Sequence, residues 1–120
     1  MSFTVALPLP PSTNNLFAVV RRGGTERRVR TREYAAWSTS AAWALALHKP
    51  APVTGRFAVD VALPAKMRGD VDNRLKPILD ALVDARLTPD DALAWAVTAR
   101  RDETVAADQA VVTVTPWSEP

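Results

Sequence analysis

Three aspartates stand where two loops could bring them together. Asp70 and Asp72 flank the start of a helical stretch, and Asp91 follows that stretch and precedes an alternating strand. Carboxylates held close repel one another and need a cation. The 120-residue chain has one histidine, His48, and no cysteine, which excludes thiolate zinc, iron–sulfur clusters and multi-histidine centres. The donors that remain are hard oxygens, suited to Mg²⁺ or Mn²⁺. Such ions polarise a phosphodiester, acidify an attacking water and stabilise a leaving oxygen. Lys76, four residues after Asp72, shares its helix face and could stabilise the charged transition state or orient the water. The same residues have a plainer reading. Aspartates near a helix N-terminus are favoured by its dipole alone, and Lys76 could simply pair with Asp72 or Asp80. Asp80 and Asp84, one turn apart, read as a solvated polar face.

Charge is distributed unevenly around these acids. Residues 1–56 carry eight Arg/Lys against two Glu, and residues 57–120 carry seven Arg/Lys against eleven Asp/Glu. A basic half beside an acidic half suits a surface for a polyanion next to an acidic site, although a mixed solvated surface gives the same balance. No stretch approaches the roughly 20 apolar residues of a membrane span. The opening residues lack a basic segment and are broken by prolines, so no signal peptide is expected and a cytoplasmic location is.

One domain spanning 1–120 is expected from the length. Phe3 to Leu7 alternates as a strand that Pro8, Pro10 and Pro11 end. Residues 17–30 form a basic hairpin or loop, with Gly23-Gly24 at its tip. Thr31 is a suitable cap for an Ala-rich helix to His48, ended by Pro50 and Pro52. Its Tyr34, Trp37, Ala41, Ala44, Leu45 and His48 share one face, while Trp43 and Leu47 lie to the side as a second buried stripe or an interface. Gly55 to Leu63 is a half-buried strand. A second helix, capped by Asp72 or Asn73 and irregular at Pro77, runs to about Arg86 on a stripe of Leu75, Ile78, Leu79, Leu82 and Val83. Two strands follow, Leu93 to Arg101 with Trp95 as core and Ala110 to Thr115, and then a frayed tail at 116–120. This order predicts a mixed sheet with two main helices packed on it, an α/β (α+β) sandwich.

The run Asp70-Val71-Asp72-Asn73-Arg74-Leu75-Lys76-Pro77-Ile78-Leu79-Asp80-Ala81-Leu82, with Pro89-Asp90-Asp91 beyond it, resembles the RusA family of Holliday junction resolvases. Leu7-Pro8-Leu9-Pro10-Pro11-Ser12-Thr13-Asn14-Asn15 is similar to the family's opening segment. The resemblance covers nearly the whole chain. It implies a small homodimeric endonuclease that cuts four-way DNA junctions with Mg²⁺, for which Mn²⁺ substitutes, by paired symmetric nicks in recombination and repair. It further implies Asp70, Asp72 and Asp91 as catalytic metal ligands, Lys76 as a catalytic or phosphate-contacting residue, and Asn73 as a residue that orders the site. Asn14 and Asn15 would lie near the active site or the DNA. Relatives crowd basic residues before the first aspartate, where this chain has only Lys66 and Arg68.

The expected DNA contacts are therefore Asn14, Asn15, Arg21, Arg22, Arg27, Arg28, Arg30, Arg68, Asn73 and Arg74. Phosphate contacts of this kind give affinity and salt dependence but little sequence reading. Two alternatives stand beside junction resolution. One is a non-catalytic protein that binds branched DNA. The other is a nuclease acting on forks or flaps.

Overall fold

A computed structural model describes residues 2–118. Strand β1 (Phe3–Pro8) leads through a 3₁₀ turn (Thr13–Asn15) to a hairpin of β2 (Phe17–Arg22) and β3 (Thr25–Arg30). Helix α1 (Arg32–His48), strand β4 (Phe57–Pro64), a second 3₁₀ turn (Val71–Arg74) and helix α2 (Leu75–Asp84) follow. A third 3₁₀ turn (Asp91–Leu93), strand β5 (Ala94–Asp102) and strand β6 (Gln109–Pro116) complete the chain. The main sheet has the order β1-β6-β4-β5. Among the described residues only β4 and β5 pair in parallel, so α2 is the crossover between them. This is the mixed sheet with two helices that the sequence pattern predicts.

The pleat explains the layering. Phe57, Val59, Val61 and Leu63 on β4 and Ala110, Val112 and Val114 on β6 are at most 1% exposed and meet the helices. Tyr34, Trp37, Ala41 and Leu45 on α1, with Ile78, Ala81 and Leu82 on α2, close that core. The Thr31 hydroxyl accepts from the Tyr34 N–H at 3.1 Å and caps α1. Lys49 ends it in a left-handed conformation (φ 50°) just before Pro50. Pro77 costs α2 nothing, because it occupies the first turn, where backbone N–H groups lack helical partners.

Several expectations change. Trp43 and Leu47 are 66% and 78% exposed, so α1 buries one stripe rather than two. Trp95 is also largely exposed, beneath the Arg56 guanidinium 4.5 Å from its ring centre. The register shift between Phe57 and Ala58 accounts for this: it leaves Trp95 without a Cα partner on β4 and puts Val97 opposite Val59. Neither Asp72 nor Asn73 caps α2, whose entry is the 3₁₀ turn with Arg74 at the cap position. The tail expected to fray from 116 is ordered at its start. Pro116 pairs with Phe57, and the Trp117 N–H donates to the Arg56 carbonyl. Residues 119–120 lie outside the described residues.

The hairpin forms no ladder with the main sheet, and all but one of its strand residues are exposed. Gly23 and Gly24 (φ 55° and 80°) supply the tight turn whose twist matches the strands. The radius of gyration is 15.1 Å, against about 13.6 Å for a compact chain of this length. A long axis of 53 Å beside short axes of 32 and 29 Å fits a hairpin that stands off the body.

Candidate active site

The segment from Pro64 to Arg74 leaves β4, carries Asp70 and Asp72, and enters α2. Its backbone is held by side chains from elsewhere. Arg101, near the end of β5, donates to the carbonyls of Ala65 (3.1 Å), Met67 (2.7 Å) and Gly69 (2.7 Å). Arg74 donates to the carbonyls of Pro10 (2.6 Å) and Arg68 (3.2 Å). The Thr13 hydroxyl donates to the Asn73 carbonyl at 2.9 Å. The Pro-rich opening segment is thus tied to the turn that bears the acids, which places Asn14 and Asn15 beside it.

On this pinned backbone the Asp70 and Asp72 side chains are exposed and have no protein partner among the described residues. Asp70 stands at the cap position and Asp72 in the first turn of the 3₁₀ turn Val71–Arg74, where its dipole favours them, but Asp70 makes no side-chain capping hydrogen bond. Asp90 does cap: its Oδ1 accepts from the Ala92 N–H at 2.9 Å, and that bond chiefly holds its carboxyl below the usual range.

Asp91 lies before the N-terminal end of β5, whereas Asp70 follows the C-terminal end of its parallel neighbour β4. From the first turn of α2, Lys76 reaches Asp91. Lys76 Nζ stands 3.7 Å from Asp91 Oδ2 and 2.9 Å from Asp80 Oδ1. The second Asp80 oxygen accepts from the hydroxyl of the buried Tyr34 at 2.9 Å. The hydrogen bond to Asp80 raises the Lys76 pKa above its usual value, burial opposes the shift, and the Asp80 and Asp91 charges add to it. Burial first, and then the Asp80 hydrogen bond and charge, push the Tyr34 hydroxyl up to about 12.

Among the described residues no three carboxylates stand together as an ion cage. Asp91 meets Lys76 within one chain but does not join Asp70 and Asp72 in such a cage. The donor set still suits Mg²⁺. That ion keeps several waters and is usually held by one or two carboxylates together with substrate phosphates.

The endodeoxyribonuclease RusA family model matches residues 8–115. The chain belongs to the RusA family. The family is one of endodeoxyribonucleases, which supports nuclease activity, and it implies activity on Holliday junctions. No curated relative matches the chain. No helix among the described residues is long and apolar enough to cross a membrane.

The basic hairpin of this RusA-family chain has two distinct faces, because residues paired across the ladder point the same way. Phe17, Val19 and Arg21 share a face with Arg30, Arg28 and Glu26. Ala18, Val20 and Arg22 share the other with Val29, Arg27 and Thr25. The first face meets the body: Phe17 packs edge-on against Tyr34, with ring centres 5.9 Å apart. Arg28 lies over Phe17 at 4.5 Å and Arg30 over Tyr34 at 4.7 Å. Arg21 is engaged by Glu26 at 2.7 Å. The expected DNA contacts therefore divide. Arg28 and Arg30 stand on the side that shares Tyr34 with Asp80 and Lys76, and Arg22 and Arg27 line a separate hollow. Arg68 is exposed, whereas the Arg74 guanidinium is taken up by two carbonyls and acts inside the protein.

Sequence reasoning missed three residues that shape this region. Asp80 is not a solvated face residue: its side chain is 23% exposed and bonded at both oxygens. Its pairing with Lys76 is the plainer reading that their spacing of four offers, and the structure bears it out, but the bond from Tyr34 has no local signal. Tyr34 belongs to the core face, as its periodicity indicates, and its hydroxyl also reaches Asp80. Nothing local announces Arg101, whose role comes from β5 lying alongside β4.

Proposed function

We propose that the chain resolves four-way DNA junctions by Mg²⁺-dependent hydrolysis, with Asp70, Asp72 and Asp91 as the metal ligands. The observation that carries this reading is the Pro64–Arg74 segment, whose backbone Arg101 and Arg74 pin while the Asp70 and Asp72 carboxylates stay free. Mg²⁺ bound to these acids would neutralise charge developing on the phosphodiester and acidify the attacking water, and Mn²⁺ would substitute. Lys76, fully protonated at neutral pH, supplies a donor to a phosphate oxygen beside them. Arg28 and Arg30, over aromatic rings and without carboxylate partners among the described residues, draw DNA phosphates toward the same side. Asn14, Asn15 and Arg68 border the route, and Asn73 orders the turn.

Two copies acting on strands of like polarity would give paired, ligatable nicks. The uncharged outer side of α1, with Trp43 and Leu47 exposed, leaves room for a second copy without burying a charge. Sedimentation with and without junction DNA tests this, and a strictly monomeric protein would rule out paired nicking.

The deciding experiment incubates wild-type and Asp70→Asn proteins with matched four-way, three-way, flap, fork and linear DNAs. Wild type should cut the four-way substrate with Mg²⁺. Asp70→Asn should bind it at least as tightly, since a repelling charge is gone, and leave it intact. Binding without any cutting by wild type would establish a non-catalytic branched-DNA protein instead. Preferential cutting of flaps or forks would replace the junction as substrate.

A further inference from the structure

Lys76 has a long, flexible side chain, and holding it in one place costs about 2 kcal/mol of rotamer entropy. A single exposed partner at a spacing of four residues usually contributes too little to do so. Asp80 is a different kind of partner. Both of its oxygens are engaged at 2.9 Å, one by Lys76 Nζ and one by the Tyr34 hydroxyl. Tyr34 is 1% exposed and is itself fixed from two sides, by Phe17 edge-on at 5.9 Å and by Trp37 at 6.5 Å. The chain of contacts runs without a gap from the core through Tyr34 and Asp80 to Lys76, and then 3.7 Å further to Asp91.

We infer that Asp80 is a positioning residue, which the Tyr34 hydroxyl orients so that it aims the Lys76 ammonium at Asp91 and the scissile phosphate. The inference rests on the proposed nuclease reading for its consequence, not for its geometry. An ammonium has three N–H donors. Asp80 takes one and Asp91 lies within reach of a second, so the third is directed rather than free to rotate among partners. Asp80 itself touches no substrate in this arrangement and acts through the lysine. A residue that only satisfied the Tyr34 hydroxyl would matter for stability and not for where Lys76 points.

The test uses the full chain with Asp80→Asn, Asp80→Glu, Tyr34→Phe, Lys76→Ala and the double variant Asp80→Asn/Lys76→Ala. Thermal melting confirms folding, metal-free junction binding gives Kd, and single-turnover cleavage gives the rate. Asp80→Asn should slow cleavage on the order of 100-fold, with junction Kd within about threefold of wild type. Tyr34→Phe should fall between the two. Asp80→Glu should recover part of the rate. The double variant should be no slower than Lys76→Ala alone, because the two residues act as one unit. A wild-type rate for Asp80→Asn, or losses that multiply in the double variant, would overturn the inference.

A second readout does not depend on cleavage. The ¹⁵N-edited signal of the Lys76 ammonium should be protected from exchange in wild type and lost in Asp80→Asn and Tyr34→Phe. If that signal is unchanged in both variants, Asp80 does not position Lys76. If the signal responds as expected while wild type cuts no DNA, the link from Tyr34 through Asp80 to Lys76 stands and the nuclease reading fails.

Discussion

Tyr34 is the single tyrosine of the chain, so its ionisation can be followed in the intact protein without mutation. Burial, the hydrogen bond it donates to Asp80 and the Asp80 charge move its pKa from 10.0 up to about 12, with Arg30 over the ring pulling the other way. That displacement corresponds to at most about 2.7 kcal/mol of preference for the protonated phenol. Water around the partly exposed Asp80 carboxylate screens part of it, leaving about 1–2 kcal/mol. The folded-state pKa lies above the unfolded one. The contribution is therefore complete below pH 10 and is lost progressively as pH rises from about 10 toward about 12, where the unfolded chain releases the proton first. Tyrosinate ultraviolet absorbance should titrate near pH 12 in the folded protein and near pH 10 in denaturant.

The direction of each mutational change is also fixed. Asp80→Asn should lower the midpoint, because it removes the acceptor's charge. Arg30→Ala should raise it, because Arg30 favours the phenolate. Denaturant melts of Tyr34→Phe should lose the stability slope between pH 10 and pH 12. A folded-state midpoint near 10 would refute the reasoning, since it would mean that the hydroxyl faces water and that Asp80 is not tied to the core.

Two other outcomes follow from the same geometry. Arg28→Ala/Arg30→Ala should weaken junction binding and reduce the slope of log Kd against log salt by roughly 0.9 for each phosphate no longer neutralised. Arg22→Ala/Arg27→Ala should change both less. Equal effects from the two pairs in a binding titration over salt would show that the hairpin faces do not divide the task. Arg101→Ala removes three donors to one segment and should cost about 1–3 kcal/mol in denaturant melts. It should also slow cleavage with the three aspartates intact, and an unchanged single-turnover rate would separate the pinned backbone from catalysis.

The parts of this protein legible in the sequence are those decided by local pattern. The alternation at Phe57, Val59, Val61 and Leu63, the Gly23-Gly24 turn, the Thr31 cap and the period of Ile78 and Leu82 each fix an element by neighbours a few residues away. What was not legible is what the sheet decides. Trp95 reads as core by alternation, and a one-residue slip against β4 leaves it exposed. Asp80 reads as solvated because its second partner, Tyr34, comes from another helix 46 residues earlier. Arg101 reads as the end of a strand because its three acceptors lie 32 to 36 residues back.

Exposed, unpaired carboxylates are common on protein surfaces, and Asp84 and Glu103 are examples on this one. What separates Asp70 and Asp72 from them is the backbone beneath. Among the described residues, the carbonyls of Ala65, Met67, Arg68, Gly69 and Asn73 all accept hydrogen bonds from side chains. No described side chain donates in this way to the carbonyls flanking Asp84 or Glu103. A surface turn needs no such fixing to remain soluble, because water satisfies its carbonyls at no cost in order. Fixing becomes useful when the carboxylates must hold a geometry before the substrate arrives, as preorganised electrostatic stabilisation requires. Lys76 follows the same logic by a different route, with a flexible side chain held through Asp80 by a tyrosine of the core. The acids therefore stand on a framework whose rigidity comes from β5, the Pro-rich opening segment and α1 rather than from the acids themselves.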